Sequence, residues 1–299
     1  MPIDIGIATK RTDGSVAHRR QELSYSSIKF MTTVLALDAA WTAAQPSGVA
    51  LVQTGSTGWH CIGLAPSYAE FFAQAEGKAT VWSSRVFVGT QPDVPRMLDA
   101  ATSLAGESVD IVTLDMPVAT LPFSSRRVAD DIISAKFGSR WCSTHTPSAT
   151  RPGPLSARLS SAFHDNGYEL TTTSMPSAKP KRLIEVYPHL ALLSLLRLDR
   201  RLPYKVGKST KYWPHLSIRD RIITLLNQFN SIYAAIENVF GSLGFALPLP
   251  EDVPSLAYLK RYEDALDALV CAWVGVEYFN PELSLLAMKK GPFGARATS

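Results

Sequence analysis

The sequence predicts an α/β fold in which helices flank a mixed β-sheet, and three observations carry that reading. β-rich runs at 33–38, 49–52 and 59–64 follow one another closely, parted by the turn signals Pro46-Ser47-Gly48 and Gly55-Ser56-Thr57-Gly58. Short strands joined by such turns make an antiparallel meander. Two further strand-like runs, 109–117 and 183–187, stand apart among stretches of helical spacing, as strands joined by helical crossovers do. The third observation is chemical. The first and fourth strands each end on an acid, Asp38 and Asp115.

Each element has its own warrant. Val34–Leu37 is an apolar run too short to insist on a helix and long enough for a buried strand. Tyr68–Ala75 and Val94–Ala105 read as helices, the second because Val94, Met97, Leu98, Ala101, Leu104 and Ala105 recur at helical spacing. Ile111, Val112 and Leu114 make the fourth strand, which Pro117 stops. Helices are expected over 124–137 and 155–167, separated by the Ser/Thr/Pro/Gly-rich loop 138–154 with Arg140, His145 and Arg151. Loop 171–181 precedes the fifth strand, in which Glu185 lies between Ile184 and Val186. An acid there is costly unless it is paired or binds a cation.

Residues 189–198 read as a Leu-rich helix, and 204–213 as a basic loop interleaved with aromatics. Two helices are expected over 218–229 and 232–243, then a Pro-rich connection. The last strong element, 256–279, places Asp264 and Asp267 three residues apart on one face. Ala265, Ala268 and Ala272 would let it approach a sheet closely. The expected organisation is an irregular basic leader over 1–30, one domain over 31–285 with helical insertions at about 124–180 and 189–255, and a frayed tail over 286–299.

Composition narrows the class. At 299 residues, 46% hydrophobic and 19% charged, the chain can bury a large core. No apolar run approaches the roughly 18 residues of a membrane span, and the first 30 residues lack a secretory apolar region, so a soluble cytoplasmic protein is expected. Cys61, Cys142 and Cys271 are widely spaced, which argues against a disulfide framework or a structural zinc site. A net charge of +4 neither demands nor repels nucleic acid.

If the first and fourth strands are parallel neighbours, Asp38 and Asp115 emerge side by side. A closing helix packed across the sheet would bring Asp264 and Asp267 to the same edge. Carboxylates forced together repel unless cations sit between them, and all-oxygen ligands suit Mg²⁺ or Mn²⁺. Two such ions can clamp a phosphodiester and activate a water.

The stretches Leu37-Asp38-Ala39-Ala40-Trp41-Thr42, Leu114-Asp115-Met116-Pro117, Ile184-Glu185-Val186-Tyr187-Pro188-His189 and Glu263-Asp264-Ala265-Leu266-Asp267-Ala268 resemble a known family. It is the group of predicted nucleases gathered as domain of unknown function 429. The closing helix is also similar to that of RuvC-type Holliday junction resolvases. The resemblance implies an RNase H-like five-stranded sheet of order 3-2-1-4-5, with the first three strands antiparallel. It implies Asp38, Asp115, Asp264 and Asp267 as metal ligands and Glu185 as a ligand or supporting acid, all five catalytic in a two-metal nuclease. His189 is a lesser candidate as a proton donor, against a structural role. Lys205, Lys208 and Lys211, with Arg126 and Arg127, are candidate contacts to a nucleic-acid backbone. Their competing roles are a solvated loop for the lysines and pairing with Asp130 and Asp131 for the arginines.

Two other classes compete. An actin-like kinase or ATPase also ends its first strand on an acid, but Gly241-Ser242-Leu243-Gly244 is a poor adenosine loop. A catalytically idle binding module would keep the fold and use the acids as caps. Action on a symmetric junction would favour a homodimer.

Overall fold

The structure, a computed structural model, describes residues 31–84, 86–119, 123, 125–171 and 181–279. The expected leader and frayed tail lie outside the described residues. The strands are β1 (Thr33–Asp38), β2 (Gly48–Gly55), β3 (Gly58–Ala65), β4 (Ile111–Leu114), β5 (Glu169–Leu170) and β6 (Arg182–Glu185). The helices are α1 (Tyr68–Ala75), α2 (Val94–Ala105), α3 (Val128–Phe137), α4 (Pro154–Asp165), α5 (Pro188–Leu195), α6 (Ser209–Tyr212), α7 (Ile218–Phe240) and α8 (Lys260–Phe279).

The sheet order is β3-β2-β1-β4-β6-β5. β1 is antiparallel to β2 and parallel to β4, and β4 is parallel to β6. This is the expected order with one strand added at the edge. The addition, β5, is only two residues long and pairs with Arg182 and Leu183. It is too short to show a period. Arg182, fully buried, meets Glu169 of that strand at 3.1 Å.

β1 is buried on both sides, as a central parallel-paired strand should be. Its alternation divides the core. Val34 and Ala36 face α5, α7 and α8, whereas Leu35 and Leu37 face α1, α2 and α4. Caps explain why α1 and α2 begin where they do. Ser67 accepts the Glu70 N–H at 3.2 Å and Asp93 accepts that of Arg96 at 3.1 Å. Gly106 ends α2 in the left-handed region at φ 72°.

α8 lies across β1, β2 and β4. Ala265, Ala268 and Ala272 are fully buried in that contact, but two glycines set its closeness. A Cβ on Gly48 would stand 2.1 Å from the Asp264 carbonyl oxygen, and one on Gly275 would stand 2.6 Å from Val34 Cγ1. Any side chain at Gly48 would push the acid-bearing turn of α8 off the sheet.

Two expectations are corrected. The helices expected over 218–229 and 232–243 are one element, α7, because Leu226, Phe229, Ile232, Ile236 and Phe240 continue one buried stripe through Asn230-Ser231. The basic loop over 204–213 contains a 3₁₀ turn at Val206–Lys208 that runs into α6. Among the described residues no helix is long and apolar enough to cross a membrane.

Candidate active site

The carboxyl ends of the three parallel strands set the floor of the site. Leu37 pairs with Leu114, and Leu114 with Glu185. Asp38 and Asp115 are therefore the next residues outward, and the Asp115 N–H donates to Leu37 O at 2.9 Å. α8 completes the floor. Asp38 faces Gly48 in the antiparallel ladder, and Gly48 is the residue on which the Asp264 backbone rests. The floor opens into a cleft of about 1250 Å³, bounded by Asp38, Asp115, Glu185 and Asp264 together with Lys205 and Arg201.

These acids have unequal surroundings. Burial pushes the Asp115 carboxyl well above its ordinary value, and the negative charges of Asp38, Asp267 and Glu185 add to the effect against Lys205. Burial likewise raises Asp264, with Asp38 and Glu263 reinforcing it and Lys260 opposing. Lys260, one turn earlier on the same helix, holds Asp264 Oδ1 and reaches Glu263 at 3.0 Å. Among the described residues, Asp264 Oδ2 is buried with no hydrogen-bond partner.

Asp267 is brought near but turned away. It is fully buried, and both of its oxygens are engaged, one by Tyr204 Oη at 2.5 Å and the other by Lys205 Nζ. Burial works to strip the Lys205 proton, but the charges of Asp267 and Glu263 hold its pKa well above the lysine range. Lys205 is thus a permanent cation anchored in the wall, committed to Asp267 and, at 3.5 Å, to Glu263.

Glu185 is paired. Arg127 grips it with two nitrogens at 2.6 and 2.7 Å, and the Val118 N–H donates to it at 2.9 Å. The same guanidinium holds Asp130, 1% exposed, at 2.8 and 2.9 Å. Arg126 meets Asp131 at 2.6 Å and ties down Thr144 and Ser134. The two arginines therefore serve internal pairing, which answers the cost of an acid in β6. Lys208 is half-buried and Lys211 exposed. His189 is 6% exposed and packs edge-on against Tyr187 and Tyr204, at ring separations of 5.3 and 5.4 Å.

Several participants escaped the sequence reading. Lys260 stands three and four residues before Glu263 and Asp264, a helical pairing signal that was legible. Glu263 accepts the Val206 N–H at 2.5 Å. Arg201 lies in a loop and carried no signal.

The residues were tested for a divalent cation. Among the described residues no three acidic, His or Cys side chains stand as a ready ligand group. Asp38, Asp115 and Asp264 nevertheless suit a hard cation, because they are carboxylates on one floor and Asp264 keeps a buried oxygen without a partner. Asp267 and Glu185 do not fit, since their oxygens are already committed.

No curated protein and no solved structure matches the chain. A family model described as a protein of unknown function (DUF429) matches residues 44–287. The match takes in Asp115, Glu185, Asp264 and Asp267 and begins six residues after Asp38. It spans most of the chain, which therefore belongs to the DUF429 family.

Proposed function

We propose that the protein is a divalent-metal-dependent nuclease that hydrolyses phosphodiester bonds in DNA or RNA. The observation that carries this reading is the convergence of Asp38, Asp115 and Asp264, from two adjacent parallel strands and one helix, on the floor of a wide cleft with cationic walls. The likeness of the α8 acids to those of resolvase-type nucleases supports it.

Asp38, Asp115 and Asp264 would hold Mg²⁺ or Mn²⁺. Bound there, the ion would neutralise charge on the scissile phosphate and make a water more acidic. The chain's own residues do the rest. Asp115 and Asp264, both driven toward the protonated form by burial, are ionised when positive charge is brought to them. Lys205, fixed by Tyr204's partner Asp267 and by Glu263, presents a preorganised cation beside the floor. From there it would offer a fixed charge to the phosphate under attack. Because Asp267 is taken, the site is read as one cation plus Lys205, in place of the two-ion arrangement expected from the acids.

The test is cleavage of a labelled panel of single-stranded, duplex, hybrid and junction substrates with Mg²⁺, Mn²⁺ or EDTA. Divalent-dependent cutting by the wild type, lost in Asp38→Asn and Asp264→Asn variants that keep their melting transitions, is the expected result. Cutting in EDTA, or cutting that survives both substitutions, contradicts the proposal.

A further inference from the structure

One corner of the cleft holds positive charge that makes no ion pair among the described residues. Arg201 and Lys208 both line it, and Arg201 has Nε and Nη2 buried without a well-formed hydrogen bond among the described residues, the guanidinium making only a loose contact to the Tyr212 hydroxyl. His189 Nδ1 is also buried and unpartnered, on a ring held between Tyr187 and Tyr204. His145, exposed on the facing loop, closes the corner beside Trp41 at a ring separation of 6.4 Å.

Orphan donors on buried side chains are costly, and like charges gathered without an acid repel one another. Repulsion acts, after burial, on Lys208, His145 and His189. Burial and then Arg201, Lys205 and Lys211 lower the Lys208 pKa. Burial and then Lys208, Arg201 and Arg151 lower that of His145. Burial and then Lys205, Arg201, Lys208 and His145 push His189 well below its ordinary value. The acid that opposes this at Lys208 is Glu263, which is already committed to Lys205, Lys260 and the Val206 N–H.

We propose that Arg201, Lys208, His189 and His145 form a phosphate-binding subsite that takes a terminal phosphate monoester of a nucleic-acid strand. Two features favour a monoester over an internal diester. Arg201 and Lys208 supply two uncompensated charges, which a dianion matches and a monoanion does not. The donors also come from four separate segments that line the one cleft, more than a single anionic oxygen would use and enough for the three free oxygens of a terminal phosphate. Neutral His189 donates through Nδ1–H, as one imidazole nitrogen can.

The subsite adjoins the acidic floor through Tyr204-Lys205. Tyr204 packs on His189 and donates to Asp267, and Lys205 acts on both Asp115 and His189. On the nuclease reading, on which only this consequence rests, a strand end held here places a nearby linkage over the carboxylates. Cutting would then be directed from an end.

Binding in EDTA separates the two claims. Isothermal titration would compare inorganic phosphate with one tetranucleotide in three forms: 5′-phosphorylated, 3′-phosphorylated and without a terminal phosphate. The expected result is at least ~10-fold tighter binding of one phosphorylated form than of the unphosphorylated one, with inorganic phosphate competing. The form preferred names the end. The preference should vanish in Arg201→Met and in Lys208→Ala, and persist in Asp38→Asn. Lys208 is half-buried, so Lys208→Ala carries the test if Arg201→Met fails to fold. Equal binding of all three tetranucleotides, or a preference that survives in a folded Lys208→Ala variant, overturns the subsite. A phosphate preference without any cleavage would leave it standing and remove the nuclease reading alone.

Discussion

β4 and β6 are parallel neighbours that each bring an acid to the same edge of the sheet, and the two acids have opposite surroundings. Glu185 has a bidentate arginine and a backbone N–H. Asp115 has burial and the negative charges of Asp38 and Asp267, with Lys205 as the main relief. Position in the fold is nearly the same for both. What differs is whether the protein supplies the counter-charge. An acid that is satisfied internally braces the wall, whereas one left raised at a cleft floor is suited to a cation from outside.

The largest contrast is expected from paired substitutions of these acids. Asp115→Asn should lower divalent-dependent cleavage by about 10²-fold or more, the scale for losing a charge-stabilising group at a reacting centre. It should leave the fold as stable as before, or more so. The sign follows from linkage. A carboxyl whose folded pKa is raised above the unfolded one holds its proton more tightly when folded, so its contribution is present below the unfolded pKa. That contribution is lost as pH rises through the folded value. Melting temperatures measured from acid to neutral pH should therefore fall less steeply for Asp115→Asn than for the wild type. Glu185→Gln should instead lose stability, because the bidentate pairing with Arg127 is broken.

Gly48→Ala should come next, at about 3 kcal/mol of stability, because the new methyl meets the Asp264 backbone rather than a movable side chain. Denaturant melts read the cost. Loss of cation binding in the folded fraction would show that Asp264 depends on this close approach. Arg127→Met follows, at about 2–4 kcal/mol, since it strands the nearly buried Asp130 and leaves Glu185 unpaired. A variant as stable as the wild type would break the contrast between a braced acid and an unsupported one. Lys211→Ala belongs to neither region. It should change stability by less than about 0.5 kcal/mol and reduce the salt slope of nucleic-acid binding by about one unit at most.

How much of this was legible before the structure depended on the length over which a signal repeats. β1 to β4 and β6 announced themselves as apolar runs bounded by turns, and α2 by its helical periodicity. The strand β5 has two residues and no pattern. The split expected in α7 fell at Asn230-Ser231, two poor helix formers, but the buried stripe through Phe229 and Ile232 overrides local propensity there. In the site, Asp38, Asp115 and Asp264 were legible as acids at the ends of strong elements. The internal commitment of Asp267 was not, because its partners Tyr204 and Lys205 lie about sixty residues away in sequence. Arg127 could be read as a partner for Asp130 three residues on, but its second partner, Glu185, is 58 residues distant. Arg201 gave no sign at all, since its role arises from the groups it fails to meet.

The most direct measurement is Mn²⁺ binding followed by electron paramagnetic resonance, with no substrate present. The account predicts one saturable Mn²⁺ per chain, weakened about tenfold or more in Asp38→Asn and Asp115→Asn and retained in a folded Glu185→Gln variant. Absence of saturable binding, or equal binding by the Asp115→Asn variant, would contradict it.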